Sequence, residues 1–354
     1  MSLIFIVAML GHAFAFDTLQ NCIDRLDGSL SGFSGTVTVS QNGQALFEKS
    51  LGVRKPGSTV RNDSNTYYDA GSIAKQFAGA AILHLAGAGR LDLNAPLSVF
   101  IPSLKDAAKK SITVLQLITH RSGLEDPGDD LYKTGDRAKN VANNLQNARF
   151  GGKPGAQMIY SNVGYEILAQ IVEKASGETY ESYLDVHLFG PAGIGCRHTG
   201  NASTPATKAA WGSLRGKATY QAGFNPAGIL LAGESGITCR AKDLTKWTHA
   251  LESEKLFTRE ELNMLWFLEG LNPSPAGRYA FGWEFDKTRR IVQHDGTDDG
   301  FIGWLFLNTE KHLALAVLSN KDERDQPKRL GENLKKIFRE MGKPNPDCSK
   351  IGFR

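Results

Sequence analysis

The chain has 354 residues, 41% of them hydrophobic and 22% charged, with a net charge of +4. This is the composition of an ordinary globular protein with a sizeable core, divided into one large domain or two smaller ones. The mild positive balance comes without any Lys/Arg block, which argues against a nucleic-acid-binding protein.

Met1 to Ala15 carries no charged side chain, Leu3 to Leu10 is a continuous apolar run, and Ala13-Phe14-Ala15 fits a small-x-small cleavage site. Residues 1–15 are therefore expected to be a secretory signal peptide, with the protein exported to the periplasm or beyond the cell. The run is too short to span a bilayer, so no stable membrane anchor is expected. Export bears on the four cysteines, Cys22, Cys196, Cys239 and Cys348. None is in a Cys-x-x-Cys pair, so zinc and thioredoxin-type chemistry are not suggested. Three pairings are possible. Cys22 and Cys348 lie near the two chain ends, which often meet at the surface. The expectation is Cys22–Cys348 with Cys196–Cys239, against the alternative of four free thiols.

Asp17 to Leu30 has Leu19, Cys22, Ile23 and Leu26 at helical spacing. Two strands, Gly35–Ser40 and Ala45–Phe47, flank Gln41-Asn42-Gly43-Gln44, where Asn-Gly is a strong hairpin signal. A polar stretch over 55–65 leads to an Ala-rich buried helix from Ser72 to about Gly87, ended by Gly87-Ala88-Gly89. Leu91 to Pro96 is a turn. A helical piece over Val114–His120 is entered through Thr113, and loops run from Arg121 to Arg137. Another helix spans about Asn162–Ser176 and closes at Gly177, and Ser182–Leu188 continues helical. Residues 197–227 show little periodicity and read as loop. Strands are expected at Tyr279–Phe285, Arg290–Gln293, Phe301–Leu307 and Leu313–Leu318, and a last helix over about Lys328–Glu340.

Strands at both ends around a helical middle predict an α/β chain of the α+β type. An antiparallel sheet built from both chain ends is flanked by helices, with a helical middle subdomain. The expected division is one domain over 16–354, with 16–71 and 235–354 forming the α/β part and 72–234 the mainly helical part.

The chemistry starts at Ser72-Ile73-Ala74-Lys75, the only Ser-x-x-Lys in the sequence. A Ser and a Lys three apart on a helix share one face, and a Ser at a helix start sits at the positive end of the dipole. That is a way to build a serine nucleophile with an amine beside it. The esterase elbow Gly-x-Ser-x-Gly is missing, which disfavours an α/β-hydrolase. The phosphate-loop, dinucleotide and His-Glu-x-x-His patterns are also missing, and no metal or cofactor is called for.

Tyr160-Ser161-Asn162 is the only Tyr-x-Asn in the chain. Beside a Lys75 ammonium, the Tyr160 hydroxyl is expected to have a lowered pKa and to exchange protons with a serine or a leaving group. Asn162 offers an amide to Lys75 and to substrate. His294-Asp295-Gly296-Thr297 follows the strand Ile291–Gln293. A strand ending in His-x-Gly can present a backbone N–H to an oxyanion, with Gly296 allowing close approach. Two look-alikes are set aside. Lys133-Thr134-Gly135 precedes Tyr160 and lies in a polar loop, and His198-Thr199-Gly200 lacks a preceding strand.

In this order the three motifs resemble the serine β-lactamase and penicillin-binding-protein superfamily, most of all class C β-lactamases, their D-peptidase relatives and the esterases of the same fold. The likeness extends over most of residues 35–320. It includes Gly71–Pro102, Leu117–Leu124 (a Thr-His-x-Ser-Gly-Leu stretch), Pro154–Gly193 and Gly236–Trp247. The resemblance implies a β-lactamase/transpeptidase-like fold and a covalent acyl-enzyme without metal. Ser72 is then the nucleophile, Lys75 and Tyr160 a coupled proton-transfer pair, and the N–H groups of Ser72 and Thr297 the oxyanion hole. Asn162, His294, Gly296 and Thr297 bind substrate.

The family's commoner third motif has a lysine where this chain has His294. A lysine suits a substrate carboxylate, whereas a histidine is only partly charged near neutral pH. The expected substrate is thus a small ester or amide without an obligatory carboxylate. The alternatives are a D-Ala-D-Ala carboxypeptidase or D-aminopeptidase, a class C-like β-lactamase acting on peptide or β-lactam substrates, and a non-catalytic acylated binder or sensor.

Overall fold

The computed structural model describes residues 19–127, 136–200, 204–225, 228–267, 278–322 and 329–351. The expected signal peptide and Lys133-Thr134-Gly135 lie outside the described residues.

The main sheet has seven strands in the order β2-β1-β12-β11-β10-β9-β8. They are β1 (Gly35–Gln41), β2 (Gln44–Leu51), β8 (Tyr279–Ala280), β9 (Trp283–Phe285), β10 (Ile291–Asp298), β11 (Phe301–Asn308) and β12 (Leu313–Ser319). Every neighbouring pair is antiparallel. The sheet joins the two chain ends, as expected, because β1 pairs with β12 from Gly35↔Ser319 to Gln41↔Leu313. The hairpin turn between β1 and β2 puts Asn42 at φ 50° and Gly43 at φ 76°, the double positive that a type I′ turn needs.

β12 shows why the end of the chain reads as apolar runs. All seven of its residues are buried. Leu313, Leu315 and Val317 join one hydrophobic cluster and Ala314, Ala316 and Leu318 the other, so both faces of the strand are covered. The first cluster is closed by a helix over 19–28 and by the helix Leu330–Met341. In the latter, Leu330, Leu334, Ile337, Phe338 and Met341 repeat at helical spacing and are buried. Cys22–Cys348 ties the helix over 19–28 to the turn Cys348–Lys350 that follows Leu330–Met341, and Cys196–Cys239 joins the paired segments Arg197–His198 and Ile237–Cys239. Both bridges are the expected pairs.

The second cluster holds the helix Lys75–Gly87 between the sheet and the helical part. Ten of its thirteen residues are buried, and its small alanines let it pack on all sides. It lies against Asn162–Ser176, whose N-cap Ser161 accepts from the Gly164 N–H and whose end is closed by Gly177 at φ 75°. Thr113 opens Val114–Ile118 with a full capping box to Gln116.

Several segments differ from the sequence reading, among them the strand expected over Tyr279–Phe285, which is two short strands, β8 and β9, paired around Phe281-Gly282. A helix at Arg137–Asn147 was not expected, because Val141 and Leu145 are its only buried apolar residues and Asn140 and Asn144 fill the rest of the inner face. Residues 197–227 are not all loop: β4 (Arg197–His198) pairs with β7 (Ile237–Cys239), and β5 (Trp211–Leu214) with β6 (Lys217–Gln221) form a hairpin around Arg215-Gly216. The strand leading into His294 does not end there but runs on to Asp298.

Candidate active site

The turn that carries Ser72 is fixed from two sides. β3 (Tyr68–Asp69) pairs with β7, setting Asp69 opposite Thr238. The Asp69 carboxylate then turns back, and its Oδ1 accepts from the Gly71 N–H at 2.9 Å. Ser72 falls in a short 3₁₀ turn, Gly71–Ala74, that runs straight into the helix Lys75–Gly87. On the other side, β10 meets this turn backbone to backbone. A Cβ at Gly296 would lie 2.1 Å from the Ala70 carbonyl oxygen and 3.0 Å from the Ser72 nitrogen. A Cβ at Gly71, which has φ +51°, would lie 2.7 Å from the Thr297 nitrogen. Glycine at both positions is therefore a steric requirement, and it brings the Ser72 and Thr297 amides to one place. Two such amides can stabilise an oxyanion.

Lys75 is fully buried. Its Nζ donates to Ser72 Oγ at 3.0 Å, to Asn162 Oδ1 at 2.7 Å and to the Glu234 carbonyl oxygen at 2.9 Å. The ammonium thus has three acceptors for three protons. Burial draws its pKa down to about 8, against the opposing pull of the Glu234, Asp126 and Glu166 carboxylates.

Tyr160 lies 5.0 Å, ring centroid to Nζ, from Lys75 and is 40% exposed. The expected lowering of its pKa is reversed. Burial of the hydroxyl raises it above the ordinary phenol value, and the nearby carboxylates of Glu234, Asp295 and Asp126 add to this. A hydrogen bond with Ser72 is the one opposing influence. The surroundings thus favour the neutral phenol of Tyr160 and shift Lys75 toward its neutral amine.

His294 is buried inside the site's wall. Its Nδ1 donates to the Asp295 carbonyl oxygen, so its Nε2 is the acceptor for the Tyr279 hydroxyl at 2.9 Å. Burial, reinforced by Lys75, pulls its pKa down to about 4. The partial charge expected near pH 7 is therefore absent, and His294 offers a substrate no positive charge. His198 is held elsewhere, stacked on Phe189 at 5.6 Å with its Nε2 3.1 Å from Asp185 Oδ1.

The sequence reading did not single out Glu234, Asp126, His120 or Asp69. Glu234 contributes a backbone carbonyl, which carries no side-chain signature; its only mark is the flanking pair Gly233 and Gly236, at φ 94° and 77°. Asp126 Oδ1 accepts from Ser161 Oγ at 3.2 Å and from the Val163 N–H at 3.1 Å, anchoring the helix that starts at Asn162.

Asp69 yields a stability prediction. It is buried, its Oδ2 accepts from the Tyr220 hydroxyl at 3.2 Å, and burial followed by repulsion from Asp298 pushes its pKa up to about 8. A carboxyl raised this way favours the fold fully below its unfolded pKa of about 4 and loses that contribution as pH rises through about 8. Asp69→Asn mimics the protonated form. Its Tm is expected to fall less between about pH 4 and pH 8 than that of the parent protein; parallel Tm curves would refute the assignment.

A family model described as Beta-lactamase matches residues 19–336. The chain is 25% identical over 338 residues to Protein flp of Staphylococcus aureus strain MW2, covering 88% of this chain and 64% of that protein. It is 27% identical over 307 residues to the putative penicillin-binding protein PbpX of Bacillus subtilis strain 168, covering 82% of this chain and 74% of the other. It thus spans about 64% of the length of the Flp proteins it matches. Among solved structures it is similar in fold to FmtA from Staphylococcus aureus, with a TM-score of 0.76, 19% identity, and 94% of this chain and 92% of the other covered. It is likewise similar to the D-amino acid amidase from Ochrobactrum anthropi SV3 complexed with L-phenylalanine, with a TM-score of 0.75, 19% identity, and 91% and 97% coverage. With the family model matching most of its length over this fold, the chain belongs to the beta-lactamase family, within the superfamily of serine β-lactamases and penicillin-binding proteins.

Proposed function

We propose that the protein is an exported serine hydrolase that works through a covalent acyl-enzyme on small esters or amides. The observation that carries this reading is the buried Lys75 amine, 3.0 Å from Ser72 Oγ and held there by Asn162 and Glu234. In the reaction, Ser72 Oγ bonds to the substrate carbonyl carbon while its proton passes to unprotonated Lys75. The oxyanion rests on the amides of Ser72 and Thr297. As the bond to the leaving group breaks, the Tyr160 phenol gives that group its proton and is reprotonated from Lys75. Water then releases the acyl group by the reverse use of the same groups.

The substrate preference rests on His294. A buried neutral imidazole gives no counter-charge to a carboxylate, which favours acyl donors without one. Export is supported by the two disulfides, which persist in oxidising compartments. Among the described residues no helix is long and apolar enough to cross a membrane.

Side-by-side rates on a short p-nitrophenyl ester, a D-Ala-D-Ala peptide and nitrocefin test the preference. The ester is expected to show the highest kcat/KM, by at least about tenfold. A faster D-peptide or nitrocefin reaction would move the protein to peptidase or β-lactamase. Stoichiometric labelling without turnover would make it a binder or sensor.

A further inference from the structure

His120 has no part in the chemistry above, yet it touches Tyr160 in three ways. It follows the helix Val114–Ile118 at φ +53°, an uncommon conformation for a residue other than glycine, and is fully buried. Its carbonyl oxygen accepts from the Ile159 N–H at 2.7 Å. Its Nδ1 accepts from the Ser161 N–H at 3.1 Å. The backbone on each side of Tyr160 is thus bonded to the same residue. Its ring lies over the Tyr160 ring, with centroids 4.2 Å apart and planes tilted by 36°. On the remaining sides stand Tyr279 at 4.4 Å and Tyr165 at 5.0 Å, both buried.

Tyr160 itself is 40% exposed, and of the rings around it that of His120 lies nearest, with Tyr279 at 6.0 Å and His294 at 6.4 Å. The Tyr160 phenol has to meet Ser72 and a leaving group within hydrogen-bond reach, where a misplacement of about 1 Å costs rate heavily. We propose that His120 is a positioning residue that clamps Tyr160, through both flanking amides and the ring face, in register with Ser72 and Lys75. The clamp needs a neutral imidazole. Because Nδ1 accepts from Ser161, the ring proton sits on Nε2, which is buried with no hydrogen-bond partner among the described residues. A second proton on Nδ1 would set two donors against each other. Burial, followed by the Lys75 ammonium, opposes that protonation.

This inference rests on the reading of Tyr160 as the proton-passing group, and a double-mutant cycle separates the two. His120→Phe keeps a ring over Tyr160 and removes the Nδ1 acceptor. His120→Asn keeps an acceptor near that position, suits the positive φ and removes the ring. Either variant is expected to lower kcat on the short ester by about 10- to 100-fold, with KM within about threefold, measured below the Tm of each variant. In the Tyr160→Phe background the same substitution is expected to cause no further loss. Losses that multiply, or His120 variants with unchanged kcat, would overturn the clamp while leaving Tyr160 in its role. A Tyr160→Phe enzyme with unchanged kcat would overturn both, through the reading of Tyr160. If His120→Phe does not fold, His120→Asn carries the cycle alone.

Discussion

Ser72→Ala is expected to lower kcat/KM on a short p-nitrophenyl ester by at least about 10³-fold. The substitution removes one oxygen atom. Lys75 keeps its bonds to Asn162 and Glu234, so the helix start should hold its shape and Tm should change little. The size of the loss follows from the chemistry, because without Oγ no covalent intermediate forms and the two converging amides have no tetrahedral oxyanion to stabilise. A Ser72→Ala protein that retains turnover, with its fold intact by circular dichroism, would remove Ser72 from the mechanism.

Lys75→Met is expected to cost a similar factor, about 10³ in kcat, at the low-to-middle range for loss of a general base that also orders its neighbours. Met fills the buried stem volume but carries no donor. The Asn162 amide oxygen and the Glu234 carbonyl lose their partner, a penalty of about 1–3 kcal/mol for each buried group left unmade. Two pH signatures distinguish Lys75 from a merely structural lysine. In the parent enzyme kcat/KM should rise with pH through about 8, because only the unprotonated amine accepts the Ser72 proton. Stability should also rise from about pH 8 toward the unfolded lysine pKa of about 10.4, because over that window the unfolded chain binds more protons than the folded one. Lys75→Met should lack both rises. If its residual activity keeps the same pH limb, the base lies elsewhere.

The sequence was informative where local chemistry and position coincide. Ser72 and Lys75, Tyr160 and Asn162, and Gly296 could be found because each is a side chain, or its lack, at a set spacing. The antiparallel sheet from both ends was legible because β11 and β12 are apolar and β1 is rich in Val and Thr, each short and bounded by turns. The Asn42-Gly43 corner wrote its own register. Charge states were not legible, because they follow from burial that only the assembled fold creates. His294 near pH 7 looks half-charged in sequence and is neutral inside the wall. Tyr160 looks set to be acidified by Lys75, and burial of its hydroxyl overrides the neighbouring charge. The helix Arg137–Asn147 escaped because buried asparagines replace apolar residues on its inner face, and Asn144 donates to the buried Glu166 at 2.9 Å. Glu234 escaped because its bond to Lys75 is made by its main chain, and the role of His120, although it lies in the Thr-His-x-Ser-Gly-Leu stretch, because a backbone carbonyl, one ring nitrogen and a ring face act there only once the fold brings Tyr160 beside them.

The central claim is a covalent acyl-Ser72, and mass spectrometry of the trapped intermediate tests it most directly. The protein is mixed with a short p-nitrophenyl ester, quenched in acid within seconds, and measured intact and after digestion. The expected result is one added acyl mass per chain, carried on the peptide containing Ser72 and absent from Ser72→Ala. Turnover with no adduct at Ser72, or with the acyl group on another residue, would contradict the account.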